Sequence, residues 1–421
     1  MKNRFMVILL TCIMLAAMAC ANPSQEYIKQ GDAYFGQAKW DEAILEYSKA
    51  IELNPELALA YSHRGWTYAT KEELDTALSD LNRAIELDPK LVEAYDYRAS
   101  VYIIQGKWDL AITDLNKAIE LDPKLALSYS HRGWAYATKG EFDMALSDLN
   151  KAVELDPKLV EAYYNRGLVH NSQQQWDKAI AEFSQVIELD PTNFMAYNDR
   201  AAAYINLGKL DLAITDLDKA IELMPSYVIA YYSRGLVHKE QGQWDAAISD
   251  FSKTIELEPD LANIKKDLAD TYAKRGYDYR LKGERDPALT DLNKAIELDP
   301  SLAFAYLHRG IIYNSQGLWD PALTDLNKAI ELQPNDPRIY HNRAYTYLNT
   351  SQLDKAIADE SKAIELDPSY TLAYFNRGIL HFNVGRADLA IADFNKTIEL
   401  SDDPDLVAVA KDRIAEIQRQ K

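Results

Sequence analysis

The residues with the most obvious capacity for chemistry are seven histidines and two cysteines, and neither set forms a catalytic or metal-binding pattern. The histidines are spread along the chain from His63 to His381 without clustering. The cysteines, Cys12 and Cys20, are too few for a Cys-x-x-Cys zinc site or a disulfide framework. We therefore expect no metal, no cofactor and no enzymatic activity.

The charge balance narrows the classes of partner. Acidic residues outnumber basic ones by 65 to 46, which gives a net charge of −19. Nucleic-acid binding and attachment to anionic membrane surfaces both require clustered Lys and Arg. The composition therefore argues against both, whereas a hydrophobic content of 48% is sufficient for a folded core.

The N-terminus carries the features of an export signal. Lys2 and Arg4 precede an almost continuous apolar run over residues 5–19, which as a helix would be about 22 Å long and too short to span a membrane. This predicts a signal peptide over residues 1–19. The small residues before Cys20 resemble the lipobox of bacterial lipoproteins. That resemblance implies lipidation of Cys20, an anchor linker over residues 20–23 and a place in the bacterial envelope, with the outer membrane favoured; ordinary secretion is the alternative.

The rest of the chain is built from one recurring segment. The string AIELDP, or a close variant, recurs with its prolines 34 residues apart from Pro55 to Pro259, and again from Pro300 to Pro368. The step between the two series is 41 residues, so seven residues are inserted there. We count eleven repeats beginning at Ser24, and we number positions within a repeat so that Gly31 occupies position 8.

A 34-residue period with Tyr, Gly and Ala at fixed positions resembles the tetratricopeptide repeat family. The resemblance implies an all-α fold, a right-handed α-solenoid of helix-turn-helix repeats. Repeats one to seven would occupy residues 24–261 and repeats eight to eleven residues 269–404. We expect the insertion, residues 262–268, to extend the first helix of repeat eight, and residues 405–421 to form a C-terminal cap helix.

Three repeat positions indicate how the helices pack. Position 8 is Gly in eight repeats although glycine costs a helix about 1 kcal/mol against alanine, which predicts close approach of a neighbouring helix. Position 15 is Gly in seven repeats and predicts a helix end. Position 18 is Asp in every repeat, and we expect it to be the N-cap of the second helix, with Pro287 and Pro321 following as first helical residues.

Recurring charges predict a ladder of ion pairs. Position 7 is Arg in ten repeats and position 23 is acidic in all eleven. Only the first repeat lacks the arginine, with Gln30 in its place, which favours pairing with the acid of the preceding repeat, as in Arg132 with Asp114 and Arg200 with Glu182. Pairing within a repeat, Arg132 with Asp148, is the rival.

Position 24 is apolar in ten repeats but holds Glu360 in repeat ten. Because an unpaired buried carboxylate is costly, the sequence predicts a local weak point there. Either Glu360 finds a basic partner or its helix shifts to expose it.

By the same resemblance, positions 2, 5, 6, 9, 12 and 13 of the first helices line a concave groove. These positions combine aromatic rings with imidazole and amide groups, which suits peptide binding, although some of the rings would pack against neighbouring first helices. The candidate groove residues are His63, Trp66, His131, Trp134, Tyr164, Asn165, Tyr232, Phe304, His308, His341, Asn342 and Phe375.

Taken together, the sequence predicts a non-catalytic scaffold or adaptor of the bacterial cell envelope that binds extended segments of partner proteins. A self-associating structural component of the envelope is the alternative, and a glycan-binding protein is a weaker one. The expected partners are other proteins, with a membrane contact through the lipid anchor only. The partner and the oligomeric state stay open.

Overall fold

The computed structural model describes residues 23–261 and 263–420, and within these ranges every regular element is an α-helix. The helices follow one another in antiparallel pairs, one pair per repeat, which confirms the predicted all-α solenoid. The predicted signal peptide and Cys20 lie outside the described residues. The chain divides into two compact units, Met1–Leu223 and Met224–Lys421.

The first unit contains repeats one to six. In each repeat the first helix has an odd number and the second an even number. The helices are α1 Pro23–Phe35, α2 Trp40–Leu53, α3 Ala58–Thr70, α4 Leu74–Leu87, α5 Val92–Ile104, α6 Trp108–Leu121, α7 Ala126–Thr138, α8 Phe142–Leu155, α9 Val160–Ser172, α10 Trp176–Leu189, α11 Phe194–Asn206 and α12 Leu210–Leu223.

The second unit contains repeats seven to eleven and a terminal helix. Its helices are α13 Val228–Glu240, α14 Trp244–Leu257, α15 Ile264–Leu281, α16 Arg285–Leu298, α17 Ala303–Ser315, α18 Trp319–Leu332, α19 Pro337–Asn349, α20 Leu353–Leu366, α21 Thr371–Asn383, α22 Ala387–Leu400 and α23 Pro404–Gln420.

The two helices of a repeat are in close contact because position 8 carries no side chain. A Cβ atom added to Gly133 would lie 2.7 Å from Cγ of Leu149, and one added to Gly167 would lie 2.7 Å from Cε1 of Phe183. Distances this short are far inside van der Waals contact, so the glycine prediction is confirmed. The side chain at position 24 fills the space that the glycine leaves.

The turn between the two helices requires a left-handed residue at position 15. Seven repeats place Gly there, with φ between +69° and +79°. The other four repeats hold Ala38, Glu72, Gln174 and Ser351 in the same region, with φ between +56° and +63°. Glycine occupies this region at no steric cost, whereas other residues are strained in it.

The predicted N-cap at position 18 is wrong, because the second helix begins at position 17, two residues earlier than predicted. In repeat three, Lys107 is the N-cap and makes no side-chain capping bond, and Asp109 is the second residue of α6. Pro287 and Pro321 are likewise third residues of their helices. The aspartate instead stabilises the first turn through its charge near the positive end of the helix dipole.

Two elements depart from the repeat. The helix α15 has 18 residues where the other first helices have 13, and it begins at Ile264, five residues before repeat position 1. Ile264 and Leu268 are buried against Phe251 of repeat seven. At the other end, α23 packs against α22 and buries Ala410 and Ile417, so the last core layer is covered.

Candidate functional site

The recurring arginines join helices within and between repeats. In repeat four, Arg132 donates from Nε and Nη2 to the two carboxylate oxygens of Asp148, at 2.6 and 2.7 Å. Its Nη1 donates to Oδ1 of Asn116 in the preceding repeat, at 2.6 Å. The predicted pairing with Asp114 is therefore wrong, because the position-23 acid faces the first helix of its own repeat. In repeat four the preceding repeat thus contributes a neutral side chain, at position 25, whereas Arg275 of repeat eight binds the acid Asp245 of repeat seven.

Arg200 shows the same correction. It binds Asp216 of its own repeat at 2.7 Å and Oγ of Ser184 in the preceding repeat at 2.9 Å, and Glu182 binds Arg166 instead. The invariant tyrosine at position 4 completes the arrangement, since each arginine lies over the ring one turn earlier, as Arg200 does over Tyr197 at 5.7 Å. These arginines are therefore structural.

The first repeat, which lacks the arginine, uses a lysine in its place. Lys49 lies 2.8 Å from the carboxylate of Glu46 and 5.6 Å from the ring centre of Tyr27. Gln30 therefore does not leave the acid of repeat one without a cation.

Glu360 is buried and has found a partner. Its side chain is 1% exposed and lies 3.2 Å from Nδ1 of His341 and 3.3 Å from the amide nitrogen of Asn376. Burial raises the pKa of Glu360, and the bond to His341 offsets this only in part. The first of the two predicted outcomes is confirmed, and one groove candidate, His341, is engaged by it.

Several other groove candidates bind a neighbouring repeat. His131 contacts Asp96 of repeat three at 3.2 Å and Glu161 of repeat five at 3.4 Å. Burial alone would lower the pKa of His131, but these carboxylates outweigh it and raise the pKa. Such contacts join consecutive first helices and fix their spacing.

Tyrosine and amide candidates act in the same way. Tyr164 donates to Asp199 at 2.6 Å and Tyr232 donates to Asp267 at 2.9 Å, each toward the following repeat. Asn165 is buried against Ser130. Asn342 differs, because its side-chain amide donates to the backbone carbonyl of Arg338 in its own helix at 2.8 Å, and only its backbone carbonyl accepts a bond from Asn314 of repeat nine.

Three candidates belong to aromatic clusters of the second unit. Phe304 and His308 pack on each other with ring centres 4.2 Å apart, and both contact Tyr277. Burial, reinforced by the charges of Arg280 and Arg338, lowers the pKa of His308 to about 3, so its imidazole is neutral. Phe375 packs against Phe394 in the core of repeat eleven.

The remaining candidates border two open hollows of the first unit. His63 and Trp66 line a cavity of about 230 Å³ between the first helices of repeats one to three. Trp134 lines a hollow of about 320 Å³ between the first helices of repeats four and five, together with apolar side chains that include Phe142 and Leu168. Of the twelve candidates, these three line a hollow, and His63 is in addition bound to Asp32 of repeat one at 2.7 Å.

Seven side chains on the first helices are apolar and exposed, and the six aliphatic ones, all but Tyr345, were not considered by the sequence prediction, which weighed aromatic, imidazole and amide groups. All seven occupy position 2, 9 or 13, which are groove positions of the repeat. They are Ile104, Met195, Ile229, Leu236, Leu281, Tyr345 and Leu372. A prediction that also included aliphatic residues at positions 2, 9 and 13 would have identified these six side chains.

The described ranges contain neither a candidate metal site nor a candidate membrane-spanning helix. No group of three or more His, Cys, Asp and Glu side chains there could hold a metal ion. None of the helices in those ranges has both the length and the apolar character needed to cross a membrane.

Sequence comparison agrees with this repeat architecture. The matching family models are described as TPR repeat, over residues 31–71, 99–140, 133–173, 167–208, 202–242, 276–317 and 310–351, and as tetratricopeptide repeat, over residues 58–91, 228–261, 337–370 and 372–404. The chain belongs to the tetratricopeptide repeat family, whose fold typically serves as a non-catalytic scaffold for protein–protein interaction.

The chain is also similar to several solved structures. A tetratricopeptide repeat protein from Parabacteroides merdae is 22% identical over 60% of this chain and 99% of its own, with a TM-score of 0.46. YrrB, described as a TPR protein with an unusual peptide-binding site, is 27% identical over 46% of this chain and 97% of its own, with a TM-score of 0.36. The MamA protein is 31% identical over 42% and 93%, with a TM-score of 0.36. No curated protein matches the chain.

Proposed function

We propose that this protein is an adaptor that binds extended segments of partner proteins along the exposed side of its first helices. The observation that carries the proposal is the recurrence, in each of the two units, of exposed apolar side chains at positions 2, 9 and 13 of the first helices. Solvent-exposed apolar side chains that recur on one face provide area for docking. The hollows beside Trp66 and Trp134 also open between first helices, and the one beside Trp66 reaches α5, the helix that carries Ile104.

Photocrosslinking tests this proposal with matched positions. A photoreactive amino acid at Ile104 on a first helix is compared with one at Leu53 on a second helix, because the two side chains are 59% and 57% exposed. We expect partner proteins to crosslink from Ile104 and not from Leu53. Equal capture at both positions, or capture from Leu53 alone, would contradict groove binding.

The adaptor is further proposed to be held in the bacterial envelope by a lipid on Cys20. The support is the apolar run and the small residues that precede this cysteine. Cys20→Ser should release the protein from the membrane fraction, while Cys12→Ser, within the apolar run, should leave it there. Unchanged fractionation of the Cys20 variant would exclude the anchor.

Self-association is the alternative that a specific observation favours. The second helices expose apolar side chains at position 19, namely Leu110, Met144, Leu212 and Leu389. A second copy could cover such a row. Light scattering of the purified chain separates the two functions, since an adaptor is expected to be monomeric without its partner and a self-associating component is not.

A further inference from the structure

The cavity beside His63 has an unusual lining for a groove in this chain. Four aromatic rings, one imidazole and one carboxylate surround about 230 Å³, contributed by α1, α2, α3 and α5. The lining residues are Asp32, Phe35, Tyr47, His63, Trp66 and Tyr97. Pockets for small molecules and cofactors are usually about 300–1,000 Å³, so the size favours a single long side chain.

The aromatic rings are held in fixed orientations. The ring of Trp66 stacks on that of Tyr97 with centres 5.0 Å apart and an angle of 13° between planes. Tyr47 meets the imidazole of His63 edge to face, at 5.7 Å. Aromatic faces carry partial negative charge and attract cations positioned over them.

The carboxylate of Asp32 can accept a further hydrogen bond from a ligand. Its Oδ1 accepts a hydrogen bond from the hydroxyl of Tyr47 at 2.8 Å and lies 2.7 Å from Nδ1 of His63. Among the described residues, none makes a hydrogen bond to its Oδ2, and the side chain is 47% exposed. One oxygen therefore orients the group while the other remains available.

Further negative charge surrounds the cavity. Burial raises the pKa of Tyr97, and the charges of Glu93, Asp96 and Asp32 raise it further. A hydroxyl whose ionisation is opposed by three carboxylates lies in a negative potential. A cation entering the cavity would thus gain from both the rings and the surrounding charge.

We infer that this cavity binds one arginine or lysine side chain from an extended segment of a partner protein. The inference rests on the proposed adaptor function and adds the chemistry of the segment that is recognised. The overall charge of −19 is consistent with a basic partner, since it favours encounter with one.

The chain contains a natural control two repeats further on. Repeats two and four share the sequence YSHRGW, which places Trp134 as the counterpart of Trp66. The counterparts of Asp32, Tyr47 and Tyr97 are, however, Ser100, Leu115 and Asn165. The hollow beside Trp134 opens toward Phe142 and Leu168 instead, and its lining has the indole without a carboxylate or a phenol ring.

Calorimetry of the full chain with four capped peptides tests the inference. The peptides are Gly-Ser repeats with one central residue, which is arginine, lysine, the neutral arginine analogue citrulline, or glutamate. We expect the arginine and lysine peptides to bind at least fivefold more tightly than the citrulline and glutamate peptides. Trp66→Ala and Asp32→Asn should each remove that preference, and Trp134→Ala should leave it unchanged.

Circular dichroism of each variant shows that a lost preference is not caused by unfolding. Equal binding of the arginine and citrulline peptides would overturn the inference, as would loss of the preference in Trp134→Ala. Tetramethylammonium chloride that bound as tightly as the arginine peptide would also overturn it, because the ligand would then be a small free cation and not a side chain of an extended segment. If Ile104 still crosslinks partners in any of these cases, the adaptor function stands and only the cation site fails.

Discussion

At position 7 of the repeat, one arginine side chain connects three helices. Arg98 on α5 binds Asp114 on α6 through two nitrogens and Asn82 on α4 through the third. Asp114 is buried, so its charge depends on that arginine. The prediction from sequence found both partners of the ion pair but assigned them to adjacent repeats, because a fixed spacing does not reveal which helix an acid faces.

Arg98→Leu should destabilise repeat three by about 3–5 kcal/mol, because it leaves the carboxylate of Asp114 buried and uncompensated. Asn82→Ala removes only the bond to the preceding repeat and should cost about 1 kcal/mol. Hydrogen exchange, measured separately for each helix, reports both effects. We expect faster exchange in α5 and α6 for the arginine variant, with the distant repeats unchanged, since solenoid stability is a sum of local terms. A uniform rise along the array would contradict this account.

The buried carboxylate of Glu360 should make the stability of the protein depend on pH. The pKa of Glu360 is raised in the folded protein. Protonated Glu360 therefore favours folding below about pH 4.3, the ordinary pKa of a glutamate, and this stabilisation is lost as the pH rises through the pKa that Glu360 has in the folded state. Glu360→Leu, which restores an apolar position 24, should therefore be more stable than the parent by about 1–2 kcal/mol at pH 8 and by less near pH 4.

Denaturant unfolding at the two pH values measures the difference, with Glu365→Gln as the control because Glu365 is exposed. A variant less stable than the parent at pH 8 would show that the contacts to His341 and Asn376 outweigh the burial of the charge.

At the scale of the helices, the turn between the two helices of a repeat is set by position 15. Sequence alone predicted that helices end there, since seven glycines recur at one spacing. Its prediction of where the following helix begins, with the aspartate as N-cap, was wrong. The backbone bonds that close the turn, such as Lys107 N–H to the carbonyl of Tyr102, place that start one residue before the aspartate.

The four repeats without glycine at this position offer a direct test. Gln174 has φ of +59°, a region that costs an L-residue about 1–2 kcal/mol. Gln174→Gly should stabilise the chain by about 0.5–1 kcal/mol, after the entropy of glycine is allowed for. Gln173→Gly, at φ of −86°, should instead destabilise it. Thermal unfolding distinguishes the two, and equal shifts would show that the turn is unstrained.

For the molecule as a whole, the 34-residue period, through its resemblance to tetratricopeptide repeats, predicted the fold, and the same resemblance assigned the groove positions to the first helices. It did not predict which side chains remain available, because that depends on contacts between consecutive repeats. Tyr164 and His131 are groove residues by position, yet both are engaged by neighbouring carboxylates. The cavity beside Trp66 combines side chains from three repeats and could not be recognised from any single one.

Binding by the first helices is the central claim, and hydrogen exchange with a bound partner tests it most directly. The full chain is compared with and without a synthetic peptide that covers the segment crosslinked at Ile104. We predict slower exchange confined to first helices, including α3 and α5, while the second helices α4 and α6 stay unchanged. Slower exchange mainly in the second helices, or none in either set, would contradict the claim.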